Sequence, residues 1–105
     1  MRTAEDYKNY CLEQLRILDK ITCRPMMGEY LLYYDTILFG GIYNNRLLIK
    51  RVETNTKFRL EEQIPYEGAK PMYWIKELED REKVKEIVLA TCKNLPKKTK
   101  NKKDV

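Results

Sequence analysis

The sequence contains no histidine and no serine. The common nucleophile–base pairs of hydrolases therefore cannot be assembled from its side chains. Its three cysteines, Cys11, Cys23 and Cys92, are too far apart for a CxxC pair, and an odd number leaves one thiol outside any closed disulfide framework. They also fall short of the four nitrogen or sulfur ligands that a structural zinc ion requires. We expect a non-enzymatic protein with buried free thiols, no catalytic residues, no metal site and no cofactor.

Long hydrophobic runs are also missing. No apolar stretch approaches the roughly 20 residues that a helix needs to span a bilayer. The N-terminal segment MRTAEDYKNY is too acidic and polar for a secretory signal. Free thiols suit a reducing compartment, so we expect a cytoplasmic protein without membrane contact. With 105 residues, of which 43% are hydrophobic, the chain has the length of one domain with one core.

The excess positive charge is concentrated at the C-terminal end. The net charge is +5, and residues 96–105 contribute five lysines and one aspartate to it. The remaining residues 1–95 carry 16 basic and 15 acidic side chains, so the body of the chain is nearly neutral. We expect a folded domain over residues 1–95 and a basic, disordered tail over residues 96–105, which has no core-forming pattern.

Apolar residues recur with the period of an α-helix at both ends of the chain. Thr3–Lys20 is predicted to be the first helix, capped by its first residue. Asp80 is predicted to cap a final helix that ends near Leu95, because Pro96 cannot continue it. A weaker helix is predicted over Glu53–Gln63. The apolar stripe of the final helix consists of Val84, Ile87, Val88, Thr91, Cys92 and Leu95.

Turn signals divide the middle of the chain into strands. Asp35–Thr36 and Asn44–Asn45 separate apolar runs, and asparagine tolerates the positive φ of a two-residue hairpin turn. Gly40–Gly41 in mid-strand indicates a β-bulge or the close approach of another backbone. Pro25 cannot donate to a sheet ladder, so residues 21–27 are predicted to be a connector or an edge strand. The predicted strands are Glu29–Tyr34, Ile37–Tyr43 and Arg46–Val52, which form an antiparallel meander, and Met72–Leu78.

These elements predict an α+β fold of the two-layer α/β sandwich type. An antiparallel three-stranded meander plus a further strand packs with two to three helices, in the order α-β-β-β-α-β-α. The strands are apolar on both faces, so we expect both faces of the sheet to be covered. The few predicted helices suffice for one face. We therefore expect another subunit to cover the second face, which predicts a homodimer.

The segment 24–50 resembles the TfoX/Sxy N-terminal domain family. Members of that family carry the pattern R-x-M-F-G-G-Y-G-L-Y-x-D-G-x-x-F, followed by a short turn and an L-Y-L-K strand. The matching residues here are Arg24, Met26, Gly28, Tyr30, Leu32, Tyr33, Asp35, Phe39, Ile42, Leu47 and Lys50, and Lys70-Pro71-Met72-Tyr73 is similar to the K-P-M-x-Y element of the family. The departures from the pattern include Met27, Glu29, Thr36, Gly40–Gly41 and Asn44–Asn45.

The resemblance implies a two-layer α/β domain that frequently pairs into dimers. The namesakes of the family regulate natural competence for DNA uptake, which implies a regulatory role. They carry a second, C-terminal helical domain that this chain is too short to contain. The link to competence and DNA transformation is therefore an expectation from the resemblance alone.

Two hypotheses of function follow. The first is a regulatory or adaptor protein that binds other proteins, because the meander is rich in aromatic side chains and the second sheet face needs a cover. Its candidate surface residues are Leu31, Tyr33, Phe39, Tyr43 and Trp74. We interpret Glu29, an acid where the family has glycine, as an ion-pair partner of Arg24.

The alternative hypothesis is weak nucleic-acid binding. Basic residues combined with tyrosines can bind single strands through phosphate contacts and stacking. No recognition helix, RNP1 sequence or zinc knuckle accompanies them, so any such binding is expected to be non-specific and sensitive to salt. The candidate residues are Lys50, Arg51, Arg59, Lys97, Lys98, Lys100, Lys102 and Lys103.

Overall fold

The computed structural model describes residues 3–96 and arranges them in two layers, a sheet and a set of helices. The helices are α1 (Glu5–Gln14) and α2 (Arg81–Cys92), with 3-10 helices at Leu15–Ile17 and Glu53–Phe58. The strands are β1 (Ile21–Met26), β2 (Glu29–Tyr34), β3 (Ile37–Ile42), β4 (Leu47–Ile49), β5 (Glu61–Gln63) and β6 (Met72–Trp74). The basic tail predicted for residues 96–105 lies outside the described residues apart from Pro96.

The sheet is antiparallel throughout, with its strands in the order β1-β2-β3-β4-β6-β5. The predicted α+β class and the two-layer arrangement are confirmed. The sheet is larger than the predicted meander plus one strand, because β1 and β5 add an edge at each side. Pro25 is tolerated in β1 because an edge strand leaves one side of its backbone unpaired.

The helix predicted over Glu53–Gln63 is only half correct. Its first part is the 3-10 helix Glu53–Phe58, which ends where Arg59 adopts a left-handed conformation with φ of 54°. A helix cannot continue through a left-handed residue. The chain then turns into β5, which pairs with β6 rather than extending the helix.

The hairpins of the meander use three two-residue turns of one kind. Met27–Gly28 has φ values of 52° and 87°, Asp35–Thr36 has 50° and 68°, and Asn44–Asn45 has 50° and 60°. Positive φ at both central residues defines the type I′ turn, whose twist matches that of the flanking strands. The hairpin turn predicted at Asn44–Asn45 is thus confirmed.

A β-bulge interrupts the pairing of β2 with β3. The pairs Tyr33↔Leu38 and Leu32↔Gly40 flank the irregularity and leave Phe39 as the extra residue. The bulge resets the alternation of side chains along β3. As a result, Phe39 joins the core beneath the helices even though it is three residues from Ile42, another core residue.

Gly40 and Gly41 have the close backbone neighbours that the glycine pair indicated. A Cβ atom on Gly40 would lie 2.2 Å from the carbonyl oxygen of Leu48. A Cβ atom on Gly41 would lie 2.5 Å from the carbonyl oxygen of Tyr30. Neither position has room for a side chain, so the bulge depends on the bare backbone at this point.

The core lies between the helices and one face of the sheet. Its buried members are Cys11, Leu15, Leu18, Leu32, Ile37, Phe39, Ile42, Leu47, Ile49, Ile75, Leu78, Val84, Ile87, Val88 and Cys92. Burial raises the pKa of the Cys11 thiol to about 12 and that of the Cys92 thiol to about 11. The third free thiol, Cys23, is only partly buried.

The polar residue Asn55 connects α2 to the rest of the fold, and Asp80 caps the start of that helix. The fully buried Asn55 donates from Nδ2 to the Lys50 carbonyl oxygen at 2.8 Å and to Thr91 Oγ1 at 2.9 Å. Its Oδ1 accepts from the Val52 backbone N–H at 3.1 Å. At the start of α2, Asp80 accepts from the Lys83 backbone N–H at 3.2 Å, which confirms the predicted N-cap.

Candidate interaction surface

The sheet face opposite the helices, here called the outer face, is the candidate functional surface. Its side chains alternate along the strands with those of the core and do not belong to the core cluster. They include Leu31, Tyr33, Leu38, Tyr43, Leu48 and Trp74. The centre of the outer face is apolar, whereas the edge strands β1 and β5 add Arg24 and Glu61 to it, opposite Leu31 and Trp74. No α-helix among the described residues covers this face.

Four of the five residues predicted for an interaction surface lie on the outer face. The prediction was wrong for Phe39. This residue lies at the bulge and its side chain is in the helix-side core, where its exposure is 0%. Tyr33 and Tyr43 are also nearly buried, at 6% exposure each, although they belong to the outer face. Leu31 and Trp74 are half-buried and keep accessible surface.

The loop 64–71, between β5 and β6, covers part of the outer face. Pro65 is buried, and the ring of Tyr66 lies 6.0 Å from the ring of Tyr43. Burial is the main cause that raises the pKa of Tyr43, followed by the neighbouring Tyr66 and Glu29. The loop 64–71 of the same chain therefore covers part of the second sheet face, where we had expected another subunit.

Arginine side chains hold this loop at both ends. Arg46 donates to Gln63 Oε1 at 2.8 Å and to the Pro65 carbonyl oxygen at 3.3 Å. Arg51 donates from Nε to the Pro71 carbonyl oxygen at 3.2 Å. Carbonyl groups that accept from a planar guanidinium are fixed in direction as well as distance. The loop thus has a defined position on the sheet.

One groove beside the loop, here called the basic groove, has a volume of about 470 Å³. Its cations are Lys50, Arg51 and Lys70, and its lining residues include no aspartate or glutamate. Leu31, Leu38, Gly40, Tyr43, Pro65, Tyr66, Ala69, Pro71 and Met72 complete the lining. The groove combines an apolar floor with positive charge.

A second groove, of about 890 Å³, lies at the end of the sheet formed by the β1–β2 turn. Its lining includes Met27, Ile64 and Tyr66, whose exposures are 94%, 51% and 59%. We call these three residues the apex patch. They are three of the five large hydrophobic residues that are exposed within residues 3–96. Clustering of exposed apolar side chains is typical of protein contact sites.

Met27 is the residue of the apex patch that the fold accommodates least easily. Its φ of 52° is left-handed, a conformation that glycine and asparagine adopt with less strain than a long side chain does. Its side chain is 94% exposed, so packing within the chain does not offset the strain. Backbone strain of this kind is concentrated at functional positions.

Glu29 has a structural role that differs from the predicted ion pair with Arg24. Its carboxylate accepts from Thr3 Oγ1 at 2.6 Å and from the Asn44 backbone N–H at 3.1 Å. The Thr3 hydroxyl oxygen also accepts from the Asn45 backbone N–H at 3.2 Å. The prediction that Thr3 caps α1 was wrong. Thr3 instead joins the N-terminal segment to two hairpin turns. The first helix consequently begins at Glu5.

The structure separates the predicted nucleic-acid-binding residues. Lys50 and Arg51 both line the basic groove, whereas Arg59 is not among its lining residues. Arg51 also forms an ion pair with Glu62 at 3.2 Å. The remaining candidates, Lys97, Lys98, Lys100, Lys102 and Lys103, lie outside the described residues. Lys70, which sequence reasoning missed as a binding residue, joins the groove because the loop folds back onto the sheet.

The residues that carry the family resemblance occupy mostly structural positions. Gly28 and Asp35 have positive φ in hairpin turns. Tyr30 packs against the helix-side core, and Phe39 is the bulge residue within it. Among the others, Arg24 is exposed on β1, Met26 and Lys50 are half-buried, and Tyr33 is buried on the outer face.

Residues 3–96 contain neither a membrane-spanning helix nor a cluster of metal-binding side chains. None of the helices there has the length and apolar character needed to cross a membrane. The same residues contain no group of three or more histidine, cysteine, aspartate or glutamate side chains placed to hold a metal ion.

The chain was found to be similar to a known protein along most of its length. No family model matches the chain. The chain is similar to an uncharacterised 12.7 kDa protein in the trpE 5′ region of Spirochaeta aurantia, with 29% identity over 100 residues. The similarity covers 91% of this chain and 86% of that protein, so it extends over nearly all of both.

Proposed function

We propose that this chain is a small, non-enzymatic protein-binding domain that acts as a regulator or adaptor through self-association. The observation that carries the proposal is the apex patch, where Met27, Ile64 and Tyr66 expose apolar surface around one groove. The resemblance to the TfoX/Sxy N-terminal domain supports a regulatory role connected with competence and DNA transformation. It also supports pairing into dimers.

The partner that fits this surface is a second copy of the chain. The apex patch places a protruding side chain, Met27, at a groove whose lining combines apolar residues with Glu29, Arg46 and Glu67. A two-fold dimer uses the same patch on both subunits, so a surface that contains both a knob and a groove is self-complementary. Apolar anchors that fill pockets contribute most of the binding energy of such interfaces.

Light scattering at increasing protein concentration tests the proposal. Wild-type protein is expected to approach the mass of a dimer, and Met27→Asp is expected to remain monomeric, because it places a charge in the contact. Leu89→Asp is the matched control, since Leu89 is 37% exposed and lies on α2. A monomeric wild-type protein at high concentration, or a dimer that Met27→Asp leaves intact, would contradict the proposal.

Nucleic-acid binding is the second candidate function, favoured by the three cations that line one groove. Its test is a salt titration of single-stranded DNA binding by the wild type and by Lys50→Met with Lys70→Met. Loss of phosphate contacts is expected to weaken binding and to reduce its dependence on salt. Equal binding by both proteins at every salt concentration would exclude the groove from this role.

A further inference from the structure

The basic groove has the size of a small-molecule site and, like many such sites, combines an apolar part with a charged part. Its volume of about 470 Å³ falls within the range of about 300–1,000 Å³ that is usual for ligand pockets. Leu31, Leu38 and Tyr43 supply apolar lining from the sheet, and Met72 adds to it from β6. Such a floor favours an apolar or aromatic body, which loses contact with water on binding.

The charges of the groove select the sign of the ligand. Lys50, Arg51 and Lys70 line it without an acidic residue in the lining, and Glu62 is the carboxylate that contacts Arg51 from outside. Arg51 uses Nε for the Pro71 carbonyl and Nη1 for Glu62. A guanidinium has five N–H groups, so it retains donors for an anion. An excess of cations in a partly apolar site favours a negatively charged group.

The groove is also held in shape before any ligand arrives. The loop that forms one wall is fixed by Arg46 at Pro65 and by Arg51 at Pro71. Proline at both positions restricts the backbone further. A preformed site avoids the entropy that ordering a loop would cost, and this improves affinity.

We propose that the basic groove binds a small amphiphilic anion, an apolar or aromatic body that carries one carboxylate or phosphate group. The apolar part lies on the outer face of the sheet, and the anionic group is bound by the cations of the lining. This site adjoins the apex patch through Tyr66, but its cations do not belong to that patch. The two grooves share Tyr43, Pro65 and Tyr66 but not the three cations.

The test uses the fluorescent anion 8-anilinonaphthalene-1-sulfonate as the probe of the full-length protein. Lys50→Met and Lys70→Met are each expected to raise its dissociation constant about fivefold, the contribution of one exposed ion pair. Lys93→Met, at an exposed lysine beyond α2, is the control and is expected to change the constant less than about twofold. Leu38→Glu is expected to abolish binding, because it places a carboxylate in the apolar floor, whereas Leu89→Glu leaves binding unchanged. Urea unfolding of each variant confirms that it is folded.

Competition then identifies the anionic group. Decanoate and phenyl phosphate are tested as carboxylate and phosphate competitors, and decanol is the neutral control. Displacement of the probe by either anion but not by decanol supports the proposal. The more effective of the two anions identifies the preferred group. Displacement by decanol as effective as by decanoate overturns it, as does unchanged binding in both lysine variants. Loss of the signal in Met27→Asp alone would place the probe at the apex patch and also overturn the proposal, without bearing on self-association.

Discussion

The two faces of the sheet are built from the same strands but differ in how they are covered. The helix side is a continuous core in which Phe39, Leu32 and Ile49 are fully buried. The outer face is apolar at its centre, but only the loop 64–71 covers part of it, and grooves remain on its surface. Apolar residues on both sides of the strands therefore favour burial of both sheet faces. Whether a face is fully buried depends on whether helices or a loop pack against it.

If the proposed association is correct, the residues that determine stability differ from those that determine binding. Side chains on the helix side contact α1, α2 and the sheet, so changes there are expected to alter the free energy of unfolding. The apex patch contributes little to the core, so changes there are expected to alter association. Four predictions test this division, from the largest expected effect to the smallest.

The largest effect is expected on the helix side, for Phe39→Ala. Phe39 has 0% exposure and lies at the bulge in the core, so its loss leaves a cavity. Buried Phe→Ala changes typically cost about 3–5 kcal/mol. Urea unfolding followed by circular dichroism measures the change. A loss below about 1 kcal/mol would show that the site collapses around the smaller side chain or that Phe39 is not in the core.

Gly40→Ala is expected to be the next most harmful change. The added methyl would lie 2.2 Å from the Leu48 carbonyl oxygen, so β3 and β4 must separate at the bulge. Overpacking of this kind costs about 2 kcal/mol. Gly68→Ala is the control, since its added methyl meets open space and only the positive φ of 88° opposes it. The melting temperature of Gly40→Ala is expected to be lower than that of Gly68→Ala. The reverse order would contradict the close approach of the Gly40 backbone to the Leu48 carbonyl.

Alkaline pH is expected to weaken the helix side through its buried thiols. In the folded protein, burial raises the pKa of Cys11 to about 12 and that of Cys92 to about 11, above their value of 9.0 without burial. The unfolded chain therefore releases these protons first, and stability falls as the pH rises above about 9. Each thiol accounts for about 1 kcal/mol at pH 10.

Urea unfolding at pH 8 and pH 10 measures this dependence. Cys92→Ala is expected to lose less stability over that interval than the wild type does. If both proteins lose the same amount, other groups cause the pH dependence. Tyrosine and lysine titrations are common to both proteins, so the difference between them isolates the thiol.

The smallest effect, and the only stabilising one among the four, is expected at the apex patch. Met27→Asn creates an Asn-Gly pair with Gly28, the sequence that type I′ turns favour most. Relief of strain at the left-handed position is expected to stabilise the protein by about 0.5 kcal/mol. The same change removes the protruding side chain and is expected to weaken self-association. Calorimetry at a concentration at which both proteins are monomeric checks the stability, and light scattering at higher concentration checks the association. A monomeric variant less stable than the monomeric wild type would contradict the proposed strain.

Local sequence predicted the first strand and the last turn of the meander well, whereas the strand predicted over Arg46–Val52 is only Leu47–Ile49. The bounds predicted for Glu29–Tyr34 match β2, and the turn at Asn44–Asn45 has the predicted positive φ values. The N-cap at Asp80 was also found where expected. These features depend on residues adjacent in the chain, because turn conformation and capping are local.

Features that depend on distant contacts were not predictable in the same way. The sequence 61–63 has no strand pattern of its own, and it becomes β5 because β6 offers an unpaired edge. The sheet face on which the Phe39 side chain lies depends on which residue the bulge leaves unpaired. That in turn depends on how β3 pairs with β2 and β4. The sequence identified the outer face as apolar, but not the loop that covers part of it.

The sequence by itself determined the α+β class, the hairpin turns and the presence of two apolar sheet faces, because periodicity and turn chemistry are encoded in neighbouring residues. Only the tertiary structure decided which face became the core. It also decided that Lys50, Arg51 and Lys70 line one groove. The physical reason is that burial and the meeting of charges depend on long-range packing, which brings together residues that are about 20 positions apart in the chain.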